Sequence, residues 1–522
     1  MIISCCLCLS PLPPDRPLIL TLMAANLSMV TLQPLVSLLQ LPDVCLVVVL
    51  CYCADDARSL CNAGRAHSRL HQAAVLARSN LKANVGSNRE KLVLSYLSKH
   101  GQHIDSISFR GDMYELGLLH YLPSALTKLS SLSFQSLKLQ LQPGSGYQGI
   151  LGAAVLPPLK QLRFTDCRLL DGGEGLAAAL PLLPGLEKLS LKTKFFTTSH
   201  QDSEGDILQV PLGQGLPGLQ QLTSLQLAKV SLGPQADGIV GLQHVSRLVD
   251  LRLVQLESSY KLTAGMLLDA QHLTRLELSA APLSDEPICF ESAALDGKTL
   301  LQHVALNYVA LCDNATGVQQ LMSHLQHLQQ LTFLSLDRTL DSLEVHPPAA
   351  AYSALTASSK LQHLGLSGSC LPAGVWQHVF PMGRQLPHLR VLDVSSVRDP
   401  ECDKAAVPEG TRLVSCCPGL QSLNLQRLQY TTEGLASLQG LSSLTFLELK
   451  PVDGSSDGLD GVCQLTGLRR LSVQEPDSAT EGFLLSLTQL RQLTYLSYWG
   501  DFNDCYRSWK FMYKVCPCVV LS

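Results

Sequence analysis

The residues best placed to do chemistry in this 522-residue chain each stop short of a working set. "DGKT" at 296–299 ends like a phosphate loop, in which backbone N–H groups between a glycine and a terminal Gly-Lys-Ser/Thr cradle the anion, but Ser292 stands where the first glycine must be. "GLSGS" at 365–369 approaches a nucleophile elbow and fails at Ser369, which takes the place of the closing glycine. His324 and His327 in "HLQHLQQL" have no third ligand nearby, so they read as decoration of a helix face and not as a metal site. No pair of carboxylates is set for acid–base work. Cys518 in "CPCVVLS" is fifth from the end, one residue too far for prenylation, and Asn26-Leu-Ser and Asn314-Ala-Thr are glycosylation sequons by pattern only. The expectation is a protein with no catalytic centre, no metal and no cofactor.

Composition narrows the classes further. Charged residues make up 16% with a formal net charge of −4, so no basic field points to nucleic acid. Seven of the 18 cysteines fall before residue 62 and seven after residue 401. That distribution predicts free thiols in a reducing compartment, cytoplasmic or nuclear. The N-terminus lacks the positive lead of a secretory signal. Residues 1–40 are expected to be an apolar, unstructured segment or to lie ahead of the true start, for which Met23 is the candidate. The greasy run "VCLVVVLCYC" spans only residues 44–53, where a bilayer span needs about twenty residues, so it reads as a buried helix and no membrane is expected.

What must position any functional residue is a repeat. "LKQLRF" starts at Leu159, "LEKLSL" at Leu186, "LTSLQL" at Leu222, "LVDLRL" at Leu248 and "LTRLEL" at Leu273. "LTFLSL" follows at Leu331, "LQHLGL" at Leu361, "LRVLDV" at Leu389, "LQSLNL" at Leu420, "LTFLEL" at Leu444, "LRRLSV" at Leu468 and "LTYLSY" at Leu493, with looser copies at Ile104, Leu129 and Leu301. The second and third apolar positions are two apart, so they enter the core from the same side of a short strand. Segments between copies, such as "EGLASLQGLSS", have the apolar spacing of short helices. No unit can bury its leucines alone, so the units must stack.

This pattern resembles the leucine-rich-repeat family over about three quarters of the chain. The resemblance implies an α/β solenoid of about fifteen repeats over residues 104–501, with a parallel concave sheet, convex short helices and a C-terminal cap or tail at 502–522. The chain departs from the family where an asparagine is usual: Cys167, Val230, Leu256, Val309, Val397 and Leu428 stand there, which predicts turns closed by apolar packing.

Residues between and beyond the core leucines should face the concavity. Lys160, Arg163, Lys188 and Lys192 form an early positive patch, and Asp250 is expected beside Arg275 and Arg252 beside Glu277. Phe446, Arg470, Tyr495 and Trp499 should face the cavity at neighbouring positions, the residue types of binding hot spots. The partner-binding candidates are therefore Phe446, Arg470, Tyr495, Trp499, Arg163 and Lys188.

Residues 41–78 read as three short helices, with Pro42 and Asp43 at the first N-terminus and a basic third helix from Arg65 to Arg78. About forty residues cannot bury an all-round apolar helix, so a second protein must cover it. Residues 79–103 are then a linker and an N-terminal cap helix, "EKLVLSYLSKH". Leu41-Pro42, Leu46, Val49-Leu50, Asp55-Asp56, Leu60, Ala63, Arg65 and Leu70 resemble an F-box, with His67 at its aromatic position and Ala63 at its usual valine. The resemblance to F-box/leucine-rich-repeat proteins implies that Leu41, Pro42, Leu46, Val49, Leu50, Leu60 and Arg65 contact a Skp-type adaptor of a cullin complex. The repeats would hold a protein substrate for ubiquitin transfer by other subunits. The alternative is a plain interaction scaffold, secreted or membrane-anchored.

Overall fold

The computed structural model describes residues 80–85, 90–115, 126–139, 159–170, 173–193, 208–209, 212–231, 239–256, 260–280, 288–312, 314–341, 346–399, 408–428, 432–450, 459–474, 487–499 and 520–521. The chain divides into residues 1–81 and 82–522, and the described residues belong almost wholly to the second unit. The proposed helices at 41–78 lie outside them.

Each LxxLxL copy makes one strand, and the strands align in a single sheet. They are β1 (Asn80–Asn84), β2 (Ser106–Glu115), β3 (Ser131–Leu139), β4 (Gln161–Thr165), β5 (Lys188–Lys192), β6 (Ser224–Ala228), β7 (Asp250–Leu256) and β8 (Arg275–Ala280). After them come β9 (His303–Asn307), β10 (Phe333–Ser335), β11 (His363–Gly365), β12 (Val391–Asp393), β13 (Ser422–Gln426), β14 (Phe446–Lys450), β15 (Arg470–Gln474), β16 (Tyr495–Trp499) and β17 (Val520–Leu521). With the short strand Arg168–Leu169 they form an 18-stranded sheet among the described residues. From β2 onward each strand pairs in parallel with the next, leucine opposite leucine: Leu225, Leu251, Leu276 and Val304 are one such row. Repeat spacing runs from 24 residues (Leu423 to Leu447) to 36 (Leu189 to Leu225), yet the leucine register holds across both.

The join between repeats is also periodic. The carbonyl after the first leucine accepts two N–H groups from the next unit: Val249 O takes those of Thr274 and Arg275, and Thr274 O takes those of Gln302 and His303. At the other end of the strand, two residues past the last core position, the backbone turns left-handed at Ser136, Asp166, Lys229, Gln255, Tyr308, Arg338, Ser396 and Arg427. Gly368 holds the same position with φ +65°. There a Cβ would come within 2.6 Å of Arg338 Cγ, so the glycine serves the close approach as well as the left-handed turn.

The residue after each left-handed turn points inward, as expected for Cys167, Val230, Leu256, Val309, Val397 and Leu428, all buried. Two repeats differ from the apolar pattern. Thr339 and Ser369 stand at this position, buried, and their hydroxyls donate to the Leu306 and Leu336 carbonyls of the preceding repeat. A short side chain with a donor satisfies a carbonyl that an apolar residue would leave to other partners.

Outer segments are short: 3-10 turns such as Leu216–Gly218, Val240–His244 and Ser292–Leu295, with longer helices at Glu90–His100 and Asn314–Gln326. The second buries Val318, Leu321, Met322 and Leu325, a stripe at helical spacing. His324 on that helix is half-buried with Nδ1 3.9 Å from Asp296, so it is more than surface decoration, while His327 is exposed just beyond the helix end. Packed helices need about 8–10 Å between axes and strands about 4.8 Å, so the sheet side is the inner, concave one. Residues 79–103, expected as linker and cap, contain β1 and the Glu90–His100 helix, and Val85 N–H donates to Arg110 O of β2. Phe109, Phe134 and Phe164 stack beneath β2–β4 with centroids 5.7 and 5.2 Å apart, where later repeats use leucine. This is a leucine-rich-repeat solenoid, defined by its own register and periodic turns.

Candidate functional site

Three columns of side chains stand on the concave face, one before, one between and one after the two strand leucines. The register brings together residues far apart in sequence, and the columns change character along the array.

On β4 and β5 the columns are basic and hydroxylic. Arg163 lies opposite Ser190, Lys188 opposite Gln161 and Lys192 opposite Thr165. Arg163, Lys188 and Lys192 are exposed. Lys160, expected in the same patch, lies ahead of β4 at the rim and pairs with Glu187 at 2.8 Å.

On β7 and β8 the register is the expected one, Asp250 opposite Arg275 and Arg252 opposite Glu277. The closest contacts, however, run along each strand and not across. Arg252 holds both Asp250 oxygens (2.9 and 3.1 Å) and Arg275 holds Glu277 (2.8 Å), whereas Arg275 and Asp250 are 3.9 Å apart. Arg252 reaches back along its strand and Arg275 reaches forward along its own, so each short ion pair lies within one strand. Burial raises the Asp250 carboxyl, but the hydrogen bond and charge of Arg252, with Gln226 and Ser224, hold it below its ordinary range.

The middle of the face carries a constellation that sequence reading did not single out. His303, Phe333 and His363 are register partners on β9, β10 and β11 and stack face to face, with centroids 4.0 and 4.1 Å apart and planes within 13° and 5°. The signal was the same offset in "LQHVAL", "LTFLSL" and "LQHLGL". Burial, with the nearby Arg275, pushes His303 down to about 4, and burial lowers His363 as well, so both rings are neutral at neutral pH. Beside the ladder Ala305, Ser335 and Gly365 are small and buried, overlain by their neighbours.

Beyond them is a hydroxyl–carboxylate network. Ser335 Oγ lies 2.8 Å from Asp337 and 2.7 Å from Asn307 Oδ1, and the Ser367 N–H donates to Asp337 at 3.0 Å. Ser395 Oγ is 2.7 Å from Asp393 and 2.8 Å from Ser367 Oγ, and Asn424 donates to Asp393 at 3.2 Å. Burial raises the Asp337 carboxyl and the charge of Asp393 adds to it; the same two causes raise Glu448. At the edge of the face Arg338 lies over the Tyr308 ring at 5.3 Å.

At the C-terminal end, Phe446, Arg470 and Tyr495 are successive register partners in the first column, Phe446 and Tyr495 half-buried and Arg470 exposed. Trp499 is opposite Gln474 at the far end of β16, two columns from Tyr495, so the four expected neighbours are a row of three and one residue apart from it. The adaptor candidates Leu41, Pro42, Leu46, Val49, Leu50, Leu60 and Arg65 lie outside the described residues.

The chemical near-misses have structural roles. Lys298 of "DGKT" is buried and donates to Leu268 O at 3.1 Å, and "GLSGS" runs from the last residue of β11 through the left-handed turn at Gly368. Among the described residues no three His, Cys, Asp or Glu side chains are grouped to hold a metal, and no helix is long and apolar enough to cross a membrane. Among them Cys167, Cys289, Cys416 and Cys417 are thiols outside any disulfide; burial pushes Cys167 up to about 11 and Cys417 up to about 12.

No family model matches the chain, and no curated protein matches it in sequence. Solved structures with a similar course include the plant peptide hormone receptor RGFR1 in complex with RGF2, 13% identical with a TM-score of 0.41, the match covering 76% of this chain and 63% of that one. The Listeria monocytogenes internalin InlF matches at 13% identity and a TM-score of 0.41, over 78% of this chain and 89% of that one. TLR13 in its complex with ssRNA13 matches at 17% and 0.42, over 81% and 62%.

Proposed function

We propose that the chain is a non-catalytic binding scaffold that holds a polypeptide along its concave sheet. The observation that carries this reading is the contrast between a repetitive leucine core and outward columns that vary from basic, to ion-paired, to aromatic and acidic, to aromatic and basic. Such a surface is long and chemically varied, which suits an extended protein partner better than a small molecule in a closed pocket. The test places a photoreactive side chain at Phe446 or at the exposed outer residue Leu268. Polypeptide adducts are expected from the first position and not from the second. Equal labelling from both would overturn the reading. Tyr495→Ala should weaken capture about tenfold with unchanged thermal unfolding, the behaviour of an aromatic hot spot and not of a core residue.

The finer reading is that this binding serves ubiquitin transfer, in the cytoplasm or nucleus. Its support is the F-box-like run from Leu41-Pro42 to Leu70 placed directly ahead of the repeats. A purified Skp-type adaptor should co-purify with the parent and not with a Leu41→Ala/Pro42→Ala variant. Absence of binding, or equal binding by both, sinks this assignment and leaves the scaffold.

A further inference from the structure

Among the outward hydroxyls of the concave face, Ser190 is out of keeping with those of the middle repeats. It is only 7% exposed and its Oγ is buried with no hydrogen-bond partner, whereas Ser335 and Ser395 are each bonded to carboxylates. A buried hydroxyl left unpaired costs about 1–3 kcal/mol, so its retention at a surface calls for a partner. What surrounds it is cationic. Lys188 and Lys192 lie two residues to either side on the same face of β5, and Arg163 is opposite on β4. By strand geometry all three originate within about 5–7 Å of Ser190. The other neighbours in register, Gln161, Thr165, Ser224, Gln226 and Ala228, are neutral. Among the described residues the nearest carboxylates are engaged or turned away: Glu187 is held by Lys160 at the rim, Asp250 by Arg252, and Asp166 is buried in the turn after β4.

We propose that Arg163, Lys188 and Lys192 around Ser190 form an anion site that takes a phosphorylated serine or threonine of a peptide partner. A phosphoryl group brings close to two negative charges and three acceptor oxygens, which one hydroxyl donor and three mobile cations can satisfy together. A single carboxylate would leave most of that charge unmatched. A bilayer cannot lie flat on the inner side of a curved sheet. Nucleic acid would call for stacking rings, and the columns of β3 to β6 contain none. The proposal rests on the concave face being the binding surface and names the chemistry of one end of it.

The test is fluorescence anisotropy with the full chain and a labelled Gly/Ser peptide carrying two phosphoserines, beside its unphosphorylated form. The phosphorylated probe should bind at least about tenfold tighter, and more weakly as salt rises. Arg163→Gln/Lys188→Gln should remove that preference, and Ser190→Ala should weaken binding about three- to tenfold while leaving the thermal melt unchanged. Arg470→Gln, at the other end of the face, should bind as the parent does. Equal binding of both peptides, or parent-like binding by the Arg163/Lys188 and Ser190 variants, overturns the site. So does binding of phosphatidylserine vesicles or a single-stranded oligonucleotide in place of the phosphopeptide. Concave-face cross-linking from Phe446 that persists through such a failure would separate it from a failure of the scaffold reading.

Discussion

The early repeats β4–β6 and the middle repeats β9–β12 share a parallel backbone and a leucine register, and they differ most in three outward columns. In the early set, Arg163, Lys188 and Lys192 stand without an acidic partner among the described residues, around an unpaired hydroxyl. In the middle set, rings stack within about 4 Å and hydroxyls and carboxylates bond to one another. The difference teaches that the solenoid separates its tasks: inward leucines hold the array, and outward residues are free to become either a rigid, self-satisfied surface or an open, charged one. The middle columns should therefore contribute to stability, and the early columns almost nothing.

The largest effect should come from the part both regions share. Leu364 is fully buried between Leu334 and Leu392, and Leu364→Ala should cost about 2–5 kcal/mol in urea unfolding followed by circular dichroism. A negligible shift would break the idea of one continuous core. Next, Phe333→Ala removes two stacking partners at once and should cost about 1–2 kcal/mol, while Arg163→Ala in the early repeats should stay within about 0.5 kcal/mol. Similar losses from both would erase the contrast.

A third test uses pH. Burial and Arg275, with Arg252 and His363, keep His303 neutral in the fold, and only Glu277 opposes them, so the unfolded chain takes up the proton first as pH falls. The stabilisation is complete above the ordinary histidine value of 6.5 and is lost as pH drops toward about 4. Between pH 7 and pH 5 the parent should lose about 1 kcal/mol more than His303→Phe, allowing for the ring's partial exposure. Parallel loss in both proteins would remove His303 as the titrating group. The smallest effect concerns Asp337, whose raised carboxyl means that its charge at pH 7 opposes folding. Asp337→Asn should gain about 0.5 kcal/mol at pH 7, and the gain should vanish in acid, where both forms are neutral. A loss at pH 7 would mean that the hydrogen bonds from Ser335 and Ser367 outweigh the charge.

Much of this surface was legible from the offset of each residue within its LxxLxL copy. Asp250 facing Arg275 and the row Phe446, Arg470, Tyr495 follow from that offset alone. The His303–Phe333–His363 ladder was equally readable, since its members occupy one offset in three consecutive copies. Other features were not readable, because side-chain direction chooses among partners that register merely brings near. Arg252 turning back to Asp250, and Lys160 leaving the patch for Glu187, are of that kind. Asp337 and Asp393 meet from different columns of strands two repeats apart, which no single offset reveals.

By itself, the amino-acid order determined that leucines two apart enter a shared core, that a strand recurs with each copy, and which residues look outward, because period-two alternation is a local property of extended backbone. The tertiary structure alone decided which outward groups satisfy one another and which are left wanting, because hydrogen bonds, ring stacking and charge fall off within a few ångströms and depend on how neighbouring repeats are laid side by side. Ser190 and Ser335 have the same offset and the same hydroxyl; only their neighbours make one an orphan and the other a member of a network.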